Sequence, residues 1–170
     1  HYGITADIHG SEPGKMIALR ADMDALPVTE QTGLSFASTH SGWMHACGHD
    51  GHTAMLLCAA RLLQEHRKEF AGTVRLIFQP SEETPPPAGS FEMVEAGVLE
   101  GVQAIFGIHM QPMEPTGVIG FNMTMAGSAL DCFKIELIGK GGHGSMPQKS
   151  VDAITLSAQV INCLLYTSPS

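Results

Sequence analysis

This chain of 170 residues reads as an α/β protein, with a mostly parallel sheet flanked by helices. Three observations point there. Short apolar runs, punctuated as buried strands are, alternate with patterns of helical period. Each run empties into residues able to bind metal or carry protons: Asp22 and Asp24, then Glu82 and Glu83, then His109. A further cluster, Cys47 and His49, sits at the start of the first helical pattern. A parallel sheet brings whatever lies at the carboxyl ends of its strands to one edge.

Taken in order, His1-Tyr-Gly-Ile enters almost at once on a strand pattern, and Met16 to Arg20 forms a second run leading into Asp22 and Asp24. From His52 to His66, apolar residues at Met55, Leu56, Ala59, Ala60, Leu62 and Leu63 predict a helix. Thr73 to Gln79 is a strand that delivers Glu82 and Glu83. Thr84-Pro-Pro-Pro-Ala-Gly89 then reads as a rigid, non-helical rim. Phe91 to Leu99 gives a shorter helix that Gly101 can stop, and Ala104 to Ile108 runs into His109. Organisation changes near Gly117, so residues 1–116 and 117–170 are expected to form separate domains. In the second, Leu130 to Ile138 alternates like a half-buried strand, with Cys132, Lys134, Glu136 and Ile138 on one face, and a helix is expected from about Ser150 to Leu165. No internal repeat is visible.

Composition is that of an ordinary globular domain. A formal charge of −8, with only 9 Lys and Arg and none in a run, argues against a nucleic-acid partner. No stretch reaches transmembrane length and none reads as a signal peptide, so no membrane partner is expected. Four cysteines, at 47, 58, 132 and 163, lack the close spacing of a secreted disulfide framework, which predicts a reducing, cytoplasmic setting.

The densest chemistry lies in His45-Ala-Cys47-Gly-His49-Asp50-Gly-His52. A thiolate and an imidazole two positions apart, with glycines that let the backbone turn tightly, can reach one borderline-soft divalent ion. Asp50 is expected to accept the spare N–H of a ligating histidine. Glu82 and Glu83 leave a strand in different directions, so one can bind metal while the other acts as general base. Of Asp22 and Asp24, one could orient a ligating histidine and the other cap the turn before Leu26-Pro27. A different chemistry stays open, with Cys47 as nucleophile and a nearby histidine as base. It leaves Glu82, Glu83 and His109 unexplained. A non-catalytic metal-binding or dimerisation module is the other alternative.

Together, Ala18 to Pro27, His45 to His52, Gln79 to Glu83, Gly107 to His109 and Gly139 to Gly144 resemble the hippurate hydrolase and N-acyl-amino-acid amidohydrolase family. These are dinuclear metallopeptidases related to aminoacylase and carboxypeptidase G, and the likeness is dense from about Thr5 to Asn162. It implies a partial zinc-peptidase-like catalytic domain, followed by the first half of a smaller α+β lid or dimerisation domain. It implies two divalent metal ions per complete subunit, Zn or Mn first, with Co or Ni as alternatives. Cys47, His49, Glu83 and His109 would be metal ligands, and Glu82 the general base acting on a metal-activated water. Asp24 would support the ligands, and His143 would steady the oxyanion of a neighbouring subunit's site in a homodimer. The implied substrate is a small N-acyl amino acid, hippurate-like or N-acetylated.

The likeness has departures. Relatives continue past residue 170, where a last histidine ligand is expected, so this chain alone is expected to be weak or inactive. A frequent Pro-His in the lid loop reads Pro147-Gln148, and residues 163–170 do not follow the pattern.

Overall fold

The structure is a computed structural model that describes residues 3–84, 88–121 and 132–167. The chain forms two compact units, His1–Phe121 and Asn122–Ser170.

In the first unit a four-stranded sheet has the order β1-β3-β2-β4, built from β1 (Ile4–His9), β2 (Glu12–Asp22), β3 (Ala71–Gln79) and β4 (Val102–Gly107). β2 runs parallel to both β3 and β4, while β1 is antiparallel to β3. The sheet is therefore largely parallel, as expected. A parallel pair needs a crossover, and α1 (His49–Glu65) supplies the one from β2 to β3. Between β3 and β4 runs α2 (Gly89–Glu95).

The residues of β3 explain its central place. Val74, Leu76 and Phe78 alternate onto one face, where they pack with Ile8, Ala21 and the α1 residue Leu56. Ile77 points to the other face and meets Ala18 and the α2 residue Met93. Both faces of β3 are thus covered, which suits its nearly unbroken apolar run.

Helix α2 stops at Glu95, four residues before the expected Leu99. The reason is Gly97, whose φ of 81° is left-handed. Its N–H donates to the Val94 carbonyl and the Val98 N–H donates to that of Met93, a Schellman closure. Val98 then packs beside Met93, which secures the end.

In the second unit, α3 spans Ala153–Thr167, and Asp152 accepts hydrogen bonds from the Ile154 N–H at 2.9 Å and the Thr155 hydroxyl at 2.6 Å. The helix therefore starts three residues later than expected. The anticipated strand from Leu130 to Ile138 is a correction. Leu130 and Asp131 lie outside the described residues, and none of 132–138 is in a strand. Alternating residues make a strand only when a neighbour takes up their backbone groups. The described pairing here is one bridge, Lys140 with Val151. The Pro85–Pro87 stretch of the expected rim also lies outside the described residues.

Candidate metal centre

Register decides where the chemistry collects. Asp22 pairs with Gln79 across β2 and β3, and Arg20 pairs with Gly107 across β2 and β4, so these three strands end within two residues of one another at one edge. The turns after them carry Asp24, Glu82, Glu83 and His109. Helix α1 begins at the same edge, since its first residue, His49, reaches Asp24 just past β2.

At that helix start Gly48 adopts φ 83°. A Cβ there would stand 3.0 Å from the Met110 Cβ, so glycine serves both the backbone turn and the close approach of the next loop. Cys47 and His49 flank it and face the same edge. Beyond β3, Ser81 takes a left-handed φ of 54°, rare for a residue with a side chain. That turn directs Glu82 and Glu83 back across the strand ends.

His49 is the hub. Its side chain is 1 % exposed, and its Nδ1 lies 3.1 Å from Asp24 Oδ1. A carboxylate only accepts, so Nδ1 carries a proton. Nε2 is buried and has no hydrogen-bond partner among the described residues, and with the proton on Nδ1 the neutral tautomer leaves it a lone pair. Around it stand Asp22 Oδ2 at 3.7 Å, Glu82 Oε2 at 3.8 Å and Glu83 Oε1 at 3.8 Å, too far for hydrogen bonds. A bare lone pair facing three carboxylates is an arrangement that a cation completes.

Three sets of potential ligand atoms lie within 4.8 Å of one another: Cys47, His49 and His109; His49, Glu82 and Glu83; and Asp22, His49 and His52. His49 belongs to all three. Cys47 Sγ is 3.5 Å from His109 Nε2. Tetrahedral zinc with bonds of about 2.0–2.3 Å sets its ligand atoms roughly 3.3–3.8 Å apart. The residues therefore fit a divalent ion in donor type and in spacing.

Asp24 joins two elements. One of its oxygens meets His49, and the other accepts the Glu83 N–H at 2.9 Å. Burial pushes its carboxyl up, but hydrogen bonds from the Glu83, Glu82 and Asp24 backbone and from His49 outweigh this and hold it below the ordinary value. Burial also pushes the Cys47 thiol up, to about 11, with Glu83, Glu82 and Asp22 adding to the effect.

The expected partnership of Asp50 with a ligating histidine is a correction. Asp50 is exposed on the first turn of α1, and the histidine N–H groups go to Asp24 and Asp22. Asp22 is no turn cap either. It is 1 % exposed, 2.6 Å from His52 Nδ1 and 2.7 Å from Arg20 Nη1. Sequence reasoning passed over His52, although its spacing of three from His49 places both on one helix face. His143 belongs to the second unit, where it is exposed and its Nδ1 lies 2.9 Å from Ser145 Oγ.

Comparison with known proteins agrees with this picture. The model of peptidase family M20/M25/M40 matches residues 18–163. An N-acetylcysteine deacetylase of Bacillus subtilis is 51 % identical over 95 % of this chain and 42 % of its own length. An N-acyl-L-amino acid amidohydrolase of Geobacillus stearothermophilus is 47 % identical over 96 % of the chain and 44 % of its own. Among solved structures, the Bacillus subtilis YXEP protein, a dinuclear metal-binding peptidase from the M20 family, superposes with a TM-score of 0.68 at 56 % identity, covering 71 % of this chain and 33 % of that one. A Staphylococcus aureus aminohydrolase gives 0.73 at 39 % identity, over 98 % of this chain and 46 % of its own. The chain thus spans less than half the length of the curated relatives it matches. With strand ends, donor set and family match in agreement, the chain belongs to peptidase family M20/M25/M40.

Proposed function

We propose that this chain is part of a metal-dependent amidohydrolase that cleaves an N-acyl amino acid into an acid and a free amino acid. The observation that carries the reading is the buried Nε2 lone pair of His49 beside Cys47, Glu83 and His109. In this reading those four residues hold the metal. Their mix of thiolate, imidazole and carboxylate suits Zn²⁺ or Mn²⁺ first and Co²⁺ or Ni²⁺ next. Two divalent ions bound there would supply Lewis acidity to the scissile carbonyl and acidify water towards neutrality.

The remaining work falls to side chains. Glu82 is 42 % exposed against 27 % for Glu83, so the former faces arriving water and the latter stays with the ligands. Glu82 removes a proton from the attacking water and delivers it to the departing amine. Asp24 fixes the tautomer of His49 and the position of Glu83. His143 is assigned a donor role towards the oxyanion at a neighbouring subunit's site, in a homodimer whose lid or dimerisation domain begins near residue 117. Named relatives include deacetylases, amidohydrolases and a carboxypeptidase of Saccharolobus solfataricus. All release an amine from an acyl group, and an amino acid is the leaving group we assign here.

The cysteine-hydrolase alternative is disfavoured by the Cys47 thiol itself, since at about 11 it is protonated near neutral pH and a poor nucleophile. The test is hydrolysis of N-benzoylglycine and N-acetyl amino acids with added Mn²⁺ or Zn²⁺, by this chain and by one continued to the length of its relatives. EDTA should abolish turnover. Turnover of the longer form that survives Glu82→Ala would overturn the role of Glu82, and turnover that persists in EDTA would overturn the metal.

A further inference from the structure

His52 has the position of a metal ligand but not the free atoms of one. It sits one helical turn beyond His49, its side chain is 1 % exposed, and it falls within a candidate set with Asp22 and His49. Both ring nitrogens are engaged. The Met110 N–H donates to Nε2 at 2.8 Å, so Nε2 is an acceptor and the ring proton is on Nδ1. That proton goes to Asp22 Oδ1 at 2.6 Å.

Both neighbours are themselves tied down. Asp22 Oδ2 receives Arg20 Nη1 at 2.7 Å, and Arg20 Nε donates to Gln79 Oε1 at 2.9 Å. The Thr53 hydroxyl donates to the Asp22 carbonyl at 3.0 Å. On the far side, the Met110 carbonyl accepts His109 Nδ1–H at 2.7 Å, which leaves His109 Nε2 as the lone pair facing Cys47. The backbone of Met110 is therefore held on both sides, its N–H by His52 and its carbonyl oxygen by His109. The His52 and His109 rings also meet edge to face, with centroids 4.6 Å apart.

We infer that His52 is a positioning residue. It anchors the Met110 N–H to the end of β2, and through the Met110 backbone, whose carbonyl receives His109 Nδ1–H, sets the ring orientation and tautomer of His109. This rests on the reading of His109 as a metal ligand. Partners one step behind a ligand typically govern its affinity by about 10- to 100-fold.

Two measurements on this chain test it. The first uses the unaltered protein, ¹⁵N-labelled and free of metal. His52 should show a protonated Nδ1, a bare Nε2 and a through-hydrogen-bond coupling between Nε2 and the Met110 amide nitrogen. A protonated Nε2, or no such coupling, would overturn the inference whether or not metal binds. The second is Zn²⁺ affinity, by competition with a chelating indicator, in two variants of similar bulk. His52→Gln can place its amide oxygen where Nε2 lies and keep the Met110 anchor. His52→Asn can reach only the Nδ1 position and keeps the Asp22 contact alone. His52→Gln should bind Zn²⁺ within a few-fold of the unaltered chain. His52→Asn should bind about 10- to 100-fold more weakly, with faster hydrogen exchange at the Met110 amide. Loss of Zn²⁺ in the folded Gln variant would make His52 a ligand, and equal affinity in both variants would make it mere packing. Absence of Zn²⁺ binding by the unaltered chain would count against the proposed function, while the coupling still decides the role of His52.

Discussion

Asp24 shows how much a single carboxylate can carry. It holds the proton side of His49 with one oxygen and the Glu83 N–H with the other, so Asp24→Ala frees two ligand-bearing segments at once. Zn²⁺ affinity should fall by about 10- to 100-fold in that variant, read by the same indicator competition. Cys47 makes a second prediction, because its thiol stands near 11 and must lose a proton to bind metal. Affinity should therefore rise about tenfold per pH unit across the neutral range, with proton release detectable by calorimetry in two buffers. Residue types were legible in the sequence, as the Cys47–His49 spacing and the Glu82–Glu83 pair made plain. Partnerships were less so. Asp50 was expected to accept the N–H of a ligating histidine, yet beside His49 on α1 its side chain diverges from that of its neighbour. The true partner of His49 is Asp24, just past the end of β2, and that of His52 is Asp22, both more than twenty residues away, and only the fold brings them close.

Elements place these residues through a few specific joints. Gly48 is one, and Gly48→Ala must bear a left-handed backbone, a cost of about 1–2 kcal/mol, as well as a Cβ 3.0 Å from that of Met110. Chemical denaturation should register the loss of stability, and Zn²⁺ affinity should fall with it. The β1–β3 pair is another. Asp7 faces Arg75 in the antiparallel register, and both guanidinium contacts are 2.8 Å. The hydrogen bond from Arg75 lowers the Asp7 carboxyl below its ordinary value. Stability from this group is therefore fully present above about pH 4, its unfolded value, and is lost as pH falls through the lower folded value. Asp7→Asn should flatten the acid limb of a stability–pH curve in that window. Most strands and helices could be read from periodicity, since β2, β3, β4, α1 and α3 each carry a clear apolar pattern. Residues 132–138 carried one too, but strand formation depends on a partner that periodicity does not reveal. Helix α2 ended early because a glycine closure outcompeted a pattern that could have continued.

For the molecule as a whole, every proposed ligand lies in the first unit, His1–Phe121, and His143 lies in the second. His143→Ala should leave Zn²⁺ affinity unchanged, while lowering turnover of the full-length enzyme by about 10²–10³-fold if it donates to the oxyanion. The α/β class was legible because chemistry recurs at the ends of short apolar runs, a signature of strands that run the same way. Which strands are neighbours was not, since the order β1-β3-β2-β4 arises from long-range pairing. The decisive experiment is Co²⁺ titration of this chain, followed by absorption. A thiolate-to-cobalt band should appear and saturate, and should vanish in both Cys47→Ser and His49→Ala while the other three cysteines remain. A band untouched by either substitution, or no binding at all, would contradict the metal centre built around His49.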